Sequence, residues 1–266
     1  MHEIADIACN FTSERFDNDL GKVVDKGIAN KIAKFGLICS RLSDIDKLLG
    51  IYNQYSSNMF FTIGVHPHHA NEINDEYLTK LKEIIDKNEP HAIGETGLDF
   101  FRNLSTYEEQ IFAFEEQIKI SIDTNKPLFL HQRDSHDDFI KILRKYSSDI
   151  DKAVVHCFTG TQAQLDDYLE LDAYIGLTGW ICDEKRNVDL RKTIKNIPLS
   201  KLMIETDCPY LIPKDLPDKP KNNRNEPSYL NHIVREIATV MEVEEEMLRK
   251  KSFENTLDFF DIKTLL

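Results

Sequence analysis

The sequence predicts an α/β protein, and the architecture that it favours is the (β/α)₈ barrel, also called the TIM barrel. Eight short apolar runs, each about as long as a buried strand, alternate with longer segments of helical spacing. Several runs are continuously apolar, which is typical of parallel strands that helices cover on both faces. The runs span residues 4–9, 36–40, 60–65, 92–98, 127–131, 153–158, 174–177 and 202–205.

Helical periodicity is clearest in segments 77–85, 107–124 and 139–146, where apolar residues recur every three or four positions. Strands that alternate with helices form either a closed barrel or a doubly wound open sheet. The open sheet is the second choice, because the glycine-rich turn that often marks one is absent after the first run.

The chain has 266 residues, which fits either one large α/β domain or two small ones. No change in composition suggests a boundary, so we predict a single domain over residues 1–266. Four prolines fall within residues 209–225, after the last run, and predict a loop, because proline removes backbone donors. From residue 227 the apolar spacing is helical again.

Composition excludes several classes of protein. Hydrophobic residues make up 41% of the chain, which is ample for a core and excludes global disorder. No apolar run approaches the ~18–20 residues that span a membrane, and the N-terminus lacks the features of a signal peptide, so we expect a cytoplasmic protein. The five cysteines form no C-x-x-C pair; we expect most of them to be small buried hydrophobes, without a disulfide framework or zinc knuckle.

The chain is acidic, with 46 Asp and Glu against 33 Lys and Arg and a formal net charge of −13. This charge argues against a protein that coats nucleic acid through a broad basic surface. It does not exclude a nuclease, because bound cations can dominate the field where a phosphate binds.

Four of the runs carry a possible metal ligand at or near their C-terminal ends. These residues are Glu95, His131, His156 and Asp207. In a barrel these ends converge at one mouth, so residues distant in sequence would become neighbours. Each alone could be an ordinary strand-end residue, and Glu95 could pair with Arg102 or Arg133. Their recurrence at four strand ends favours a catalytic or metal cluster, and mixed nitrogen and oxygen donors suit Zn²⁺, Mn²⁺ or a similar ion.

Further side chains on the same predicted face are candidates for substrate contact. The third run ends in His66-Pro67-His68, whose imidazoles could contact phosphate or support the metal ligands, or could belong to a turn shaped by Pro67. Arg133 follows the His131 strand end and could hold a phosphate through its guanidinium, or pair with Asp134.

Aromatic and basic residues follow the last two runs. Trp180 and Tyr210 could stack on a terminal base, although packing under the loop is the alternative for Trp180. The basic residues of the proline-rich loop, among them Arg224, could steer nucleic acid towards the mouth; each one alone could equally be a solvated charge. The first run ends in Ala8-Cys9-Asn10, where Ala8 and Asn10 would face the mouth. Neither is a strong metal ligand.

Taken together, these motifs resemble the TatD family of metal-dependent deoxyribonucleases, which are amidohydrolase-like TIM barrels. The similarity extends over nearly the whole chain. It rests on Gly64-Val65-His66-Pro67-His68, Ile93-Gly94-Glu95-Thr96-Gly97-Leu98-Asp99, Pro127-Leu128-Phe129-Leu130-His131, Val155-His156-Cys157-Phe158-Thr159-Gly160, Ile204-Glu205-Thr206-Asp207-Cys208-Pro209-Tyr210 and Arg224-Asn225-Glu226-Pro227.

The resemblance implies metal-dependent hydrolysis of phosphodiester bonds, with the metal ligands falling on Glu95, His131, His156 and Asp207. Many members carry a His-x-His pair on the first strand, where this chain has Ala8 and Asn10. That departure matches the subgroup typified by TatD proper, as do Phe101-Arg102-Asn103 and Trp180-Ile181-Cys182-Asp183-Glu184. For this subgroup the implied activity is 3′-to-5′ exonuclease action on single-stranded DNA and on RNA, supported by Mg²⁺, and the implied role includes DNA repair.

A site without the two imidazoles of the first strand suits Mg²⁺, which needs few protein ligands, although Mn²⁺ or Zn²⁺ would also fit. We expect one metal on Glu95, His131 and His156, a second and weaker one that shares Glu95, and Asp207 as general base. The alternatives are another metal hydrolase on the same barrel, such as an amidase or a D-aminoacyl-tRNA deacylase, and a non-catalytic binding protein. No obligate protein partner is evident from the sequence.

Overall fold

Eight parallel strands, each hydrogen-bonded to the next in chain order, form the centre of the molecule. The structure is a computed structural model and describes residues 2–183 and 187–263; Glu184 and the two ends of the predicted domain lie outside the described residues. A parallel bridge between Cys9 and Cys208 joins the end of the first strand to the segment after the eighth. The strands are β1 (Ile4–Cys9), β2 (Ile32–Leu37), β3 (Met59–Ile63), β4 (Ala92–Asp99), β5 (Leu128–Arg133), β6 (Ala153–Val155), β7 (Tyr174–Leu177) and β8 (Leu202–Ile204).

Helices connect the strands and cover their outer faces, as the predicted (β/α)₈ barrel requires. The helix α4 coincides with the predicted segment 107–124, and its start is fixed by a capping box in which Thr106 and Glu109 each bond the other's backbone N–H. The helices are α1 (Leu20–Ala29), α2 (Ile45–Gln54), α3 (Asp75–Asn88), α4 (Tyr107–Thr124), α5 (His136–Tyr146), α6 (Gln162–Glu170), α7 (Asn187–Thr193), α8 (Leu230–Met241) and α9 (Glu245–Phe259). No helix among the described residues is both long and apolar enough to span a membrane.

The barrel interior is filled by apolar side chains from the strands. Ala8, Phe129 and Met203 belong to this inner cluster, which is separate from the larger core between strands and helices. Phe259 and Phe260, at the end of α9, pack into the same cluster and so close one end of the barrel. The polar residues of the strand ends therefore gather at the other end.

The predicted bounds of the second strand differ most from the structure, and the prediction of a loop after the last strand is confirmed. The second strand begins at Ile32, four residues before the predicted run, because Ile32 and Phe35 are buried although Lys34 interrupts the apolar pattern. Residues 209–225, all of which the structure describes, contain no helix or strand. This loop follows β8 and lies beside the mouth of the barrel.

Candidate active site

A cavity of about 1750 Å³ opens at the C-terminal ends of the strands. Its walls include all four residues predicted as metal ligands, which lie on β4 and β5 or in the segments after β6 and β8. They are Glu95, His131, His156 and Asp207. The convergence expected from the barrel is therefore present.

Glu95 is the centre of the cluster. Its Oε1 lies 2.8 Å from His156 Nε2 and 2.9 Å from His131 Nδ1. A third imidazole, that of His66, places Nε2 at 3.3 Å from the same oxygen. Burial alone would raise the pKa of Glu95, but the neighbouring imidazoles hold it well below its usual range, so the carboxylate is ionised.

The imidazoles respond to the same surroundings in different ways. Burial lowers the pKa of His66 to about 4, so this ring is neutral at physiological pH. Burial also acts to lower the pKa of His156, but the charges of Glu95 and Glu205 outweigh it and raise that pKa well above its usual value. A proton on His156 in the metal-free protein would have to leave when the ring binds a metal, because metal ligands are deprotonated.

A second carboxylate, Asp99, was not singled out from the sequence. Its Oδ2 lies 2.7 Å from His68 Nε2 and 3.3 Å from His131 Nε2. Burial would raise the pKa of Asp99, yet these imidazoles and the backbone N–H of Arg102 lower it. Asp99 lies four positions after Glu95 on one strand, and residues at even spacing point to the same face, so this spacing was a usable signal.

The close approach of β4 and β5 depends on glycine. Gly97 has φ of +143°, a conformation that other residues rarely adopt. A Cβ atom at this position would overlap the carbonyl oxygen of His131 on the adjacent strand. The glycine therefore allows β4 to bring Glu95 and Asp99 up to the His131 ring.

Glu205, the last residue of the eighth apolar run, supports His156. Its Oε1 accepts a hydrogen bond from the backbone N–H of Cys157 at 2.5 Å, and its Oε2 lies 3.6 Å from His156 Nδ1. Sequence reasoning noted Glu205 at the strand end but chose Asp207 as the functional carboxylate. Position at a strand end does not reveal which of two nearby carboxylates touches an imidazole.

Asp207 lies in the same cavity and is held from β1. Its Oδ1 accepts a hydrogen bond from Asn10 Nδ2 at 2.9 Å. Its φ of 55° lies in the left-handed region, which aspartate adopts more readily than most residues. Burial raises the pKa of Asp207 to about 8; the Glu95 and Glu205 charges add to this effect, and His156 and Asn10 oppose it.

The residues present fit a divalent metal. His66, Glu95 and His131 each offer a ligand atom, and these atoms lie within 4.8 Å of one another. Within the described part of the chain, His131 Nε2 and His156 Nδ1 are buried and make no hydrogen bond, although each has a carboxylate nearby. Imidazole nitrogens that converge on an ionised carboxylate are the donor set that Zn²⁺, Mn²⁺ and similar ions take.

Five of the six predicted substrate-binding residues line the cavity, and Arg224 does not. His66, His68, Arg133, Trp180 and Tyr210 line the cavity. The guanidinium of Arg133 lies 3.8 Å from the centroid of the Phe101 ring, a cation–π contact at the rim. Tyr210 has a relative exposure of 53%, and its ring is therefore open to a ligand.

Arg224 differs from the expectation. Its guanidinium donates to both carboxylate oxygens of Asp19 at 2.7 Å, and Nη2 donates to Glu226 at 2.9 Å. Nη1 also donates to the backbone carbonyl of Arg15 at 2.6 Å. The side chain is buried and ties the proline-rich loop to the start of α1, so its Nη1 and Nη2 donors face protein acceptors rather than the cavity.

A parallel (β/α)₈ barrel with a buried carboxylate–imidazole cluster at its C-terminal mouth defines a barrel hydrolase of the metal-dependent class. Comparison with known proteins gives the family. The family model described as "TatD related DNase" matches residues 5–261. The chain therefore belongs to the TatD-related DNase family.

Individual relatives agree with this assignment. The chain is 40% identical over 258 residues to a protein of Yersinia pseudotuberculosis named "3′-5′ ssDNA/RNA exonuclease TatD", covering 96% of this chain and 98% of that protein. It is 28% identical to a TatD-family hydrolase from Entamoeba histolytica, with a TM-score of 0.88 and coverage of 97% and 98%. A TatD homolog from Escherichia coli, YJJV, shares the fold with a TM-score of 0.90 at 22% identity, covering 98% of both chains.

Proposed function

We propose that this protein is a metal-dependent exonuclease that shortens single-stranded DNA, and also RNA, from the 3′ end by hydrolysing phosphodiester bonds. The observation that carries the proposal is the convergence of three imidazole nitrogens on one buried oxygen of Glu95, at distances of 2.8, 2.9 and 3.3 Å. The substrate class and the direction are supported by the relative from Yersinia pseudotuberculosis, which is named as a 3′-5′ exonuclease on these nucleic acids.

Glu95, His131 and His156 would hold the divalent metal, and His66, whose ligand atom lies within 4.8 Å of those of Glu95 and His131, would be a further ligand. When bound, such an ion acts as a Lewis acid towards the phosphoryl oxygens and lowers the pKa of a water molecule. We propose Mg²⁺ as the physiological ion, on the strength of the family resemblance. Because imidazole donors also suit Mn²⁺ and Zn²⁺, the assay below restores each ion separately.

In this proposal Asp207 is the general base that takes a proton from the attacking water. Its pKa of about 8 is close to the working pH, where a carboxylate both accepts and returns a proton readily. Asn10, through its hydrogen bond of 2.9 Å, keeps the carboxylate turned into the cavity. Attack by water breaks the bond between phosphorus and the 3′ oxygen, and that oxygen takes up a proton as the terminal nucleotide leaves.

The rim of the cavity supplies groups for the strand itself. Arg133 would bind a phosphate, since guanidinium groups contact phosphate oxygens through paired donors. Trp180 and Tyr210 would stack on terminal bases, which requires no sequence preference. We further propose that residues 1–266 act as one domain, in the cytoplasm and without an obligate protein partner. A role in DNA repair stays a prediction.

The test is hydrolysis of 5′-labelled single-stranded DNA by metal-stripped protein, with Mg²⁺, Mn²⁺ or Zn²⁺ restored separately. We expect a ladder that shortens from the 3′ end only when metal is present. Glu95→Gln should lower the rate by about 100-fold or more, since it removes the charge that the imidazoles share.

A matched pair of histidine variants sharpens the assay. His66→Ala removes a ring from the Glu95 cluster, whereas His69→Ala makes the same change three residues later, where the ring pairs with Glu72 at 3.3 Å. Only His66→Ala should lower the rate. Folded protein that cleaves no DNA or RNA with any of the three ions, or that deacylates charged tRNA instead, would contradict the proposal.

A further inference from the structure

A second cluster of metal-ligand side chains lies apart from the Glu95 centre. Cys182 follows β7, Asp215 belongs to the proline-rich loop, and His232 lies on α8. Their ligand atoms (a sulfur, a carboxylate oxygen and an imidazole nitrogen) lie within 4.8 Å of one another. Among the described residues that line the active-site cavity, none belongs to this cluster.

The contacts within the cluster are close and partly shielded from solvent. His232 Nε2 lies 2.7 Å from Asp215 Oδ1, and the two side chains have relative exposures of 15% and 33%. Cys182 is 2% exposed, so its sulfur faces the pair from the protein side. An ordinary ion pair explains the Asp215–His232 contact, but it does not require a cysteine beside it.

Further acidic charge lies close by. Glu236 follows His232 by one helical turn on α8, so both side chains point to the same face of that helix. Burial raises the pKa of the Cys182 thiol, the charges of Asp215 and Glu236 add to this effect, and Arg191 offsets it in part. Arg191 also pairs with Glu236 at 3.5 Å. Three elements far apart in sequence thus bring sulfur, nitrogen and oxygen donors to one point.

We propose that Cys182, Asp215 and His232 form a second metal site, selective for a borderline-soft dication of the zinc type. Sulfur, imidazole and carboxylate are the ligands that Zn²⁺ takes in tetrahedral sites. On binding, the Cys182 thiol releases its proton to solvent and the sulfur becomes a thiolate ligand. Water would fill the fourth position. No redox step is involved.

The expected consequence is mechanical. The ion would tie the proline-rich loop, through Asp215, to α8 and to the turn that follows β7. Trp180 lies two residues before Cys182 and lines the active-site cavity, as does Leu211 in the loop. A metal that closes a long irregular segment in this way restricts its motion. The second site would therefore fix one wall of the cavity without taking part in the chemistry.

The test is a Co²⁺ titration of the full chain, purified without an affinity tag and stripped of metal. Cobalt bound to a thiolate gives a charge-transfer absorption in the near ultraviolet, whereas ligation by nitrogen and oxygen alone does not. The titration is run on the wild type and on a Glu95→Gln/His131→Ala double variant, which weakens metal binding at the Glu95 cluster. We expect one equivalent of the thiolate band in both proteins, bleached by stoichiometric Zn²⁺, and no band in Cys182→Ser.

Three further variants keep the result specific. Cys157→Ser removes a thiol that lines the active-site cavity and should leave the band unchanged. His136→Ala is the matched control, because His136 pairs with Asp167 at 2.8 Å in a similar contact that includes no cysteine; it should also leave the band unchanged. His232→Ala should weaken cobalt binding at least ~10-fold, the loss expected when a supporting ligand is removed, and it serves if Cys182→Ser fails to fold.

Absence of the band from folded wild-type protein, its survival in Cys182→Ser, or its loss in Cys157→Ser would each overturn the proposal. These readouts do not depend on nuclease activity. Failure of the proposed function and failure of the second site are therefore separate results.

Discussion

The side-chain amide of Asn10 donates a hydrogen bond of 2.9 Å to Asp207 Oδ1, which joins the end of β1 to the segment after β8. The same amide donates to the carbonyl of Cys208 at 3.2 Å, and the backbone N–H of Asn10 reaches that carbonyl at 2.8 Å. Asn10 occupies one of the two positions where many TatD-like chains carry an imidazole. In this chain, β1 therefore contributes to the site by positioning a carboxylate.

This contact predicts a shift in the pH dependence of catalysis. Burial raises the pKa of Asp207 to about 8, and the Asn10 hydrogen bond opposes that rise. Asn10→Ala removes the donor, so the pKa of Asp207 should rise further. A hydrogen bond to a charged group is worth roughly 1.5–3 kcal/mol, which corresponds to a shift of about one pH unit or more.

A general base works in its ionised form, so kcat/KM should increase with pH across this pKa. In Asn10→Ala the rising limb of the profile should move to higher pH, while the plateau at alkaline pH stays near the wild-type level. The measurement is a pH profile of kcat/KM on single-stranded DNA at saturating metal. A lower plateau with an unmoved limb would mean that Asn10 does not act through Asp207.

Much of the fold is predictable from the sequence because parallel strands buried on both faces leave continuous apolar runs. The bounds of β1 and β7 coincide with the predicted runs, and those of α4 with the predicted helical segment. The predicted run for the second strand begins later than β2, because Lys34 interrupts the apolar pattern and reaches outwards to the carbonyl of Ser57. Apolar periodicity reports which side chains are buried. A long polar side chain can point outwards from a strand while its backbone stays in the sheet.

The site is less predictable, because it depends on pairings across the barrel. Strand-end position was enough to bring Glu95 and His131 together. It did not show that Asp99 bonds His68, or that Glu205 rather than Asp207 lies beside His156. The partners of a charged loop residue are harder still to predict from the sequence, because those contacts depend on how distant segments pack.

Arg133 and Arg224 provide opposite expectations for the same substitution. Arg133 stacks on Phe101 at the rim of the cavity. Arg133→Ala should raise KM for single-stranded DNA by roughly 10-fold, because one charged contact with phosphate is lost. The Tm should change little. Arg224 is buried between Asp19 and Glu226, so Arg224→Ala should leave KM unchanged.

The Arg224 change should instead lower stability. Removing one partner of a buried ion pair costs about 3–5 kcal/mol, and the partial exposure of Asp19 reduces this to about 2 kcal/mol. Steady-state kinetics and thermal unfolding of both variants test these two expectations. Each variant serves as the control for the other. An increase in KM for Arg224→Ala at unchanged stability would mean that Arg224 contacts the substrate.

Gly97→Ala tests whether the approach of β4 to β5 sets the site. The added Cβ would meet the carbonyl of His131, at a backbone φ of +143° that alanine rarely adopts. We expect a loss of at least about 1–3 kcal/mol in the free energy of unfolding and a weaker metal affinity. Gly50→Ala is the control, because the space around that glycine is open to a Cβ. Equal stability of the two variants would contradict this account.

Asp6 predicts a pH dependence of stability that does not involve the active site. Its carboxylate is buried and accepts hydrogen bonds from the backbone N–H and the hydroxyl of Thr206, at 2.8 and 2.6 Å. Burial raises the pKa of Asp6 from its ordinary 3.8 to about 7, although these hydrogen bonds oppose the rise. Between these values the folded protein holds a proton that the unfolded chain has released.

The free energy of unfolding should therefore fall as the pH rises through this window, by up to about 1.4 kcal/mol per pH unit from this group. Asp6→Asn keeps the shape of the side chain and can still bond Thr206, but it does not titrate. The difference in unfolding free energy between wild type and Asp6→Asn, measured by urea titration at several pH values, removes the contribution of the other carboxylates. Relative to the variant, the wild type should lose stability from pH 3.8 to about pH 7 and no further above it. Parallel curves for the two proteins would mean that Asp6 is ionised in the folded state and that polar groups around it outweigh its burial.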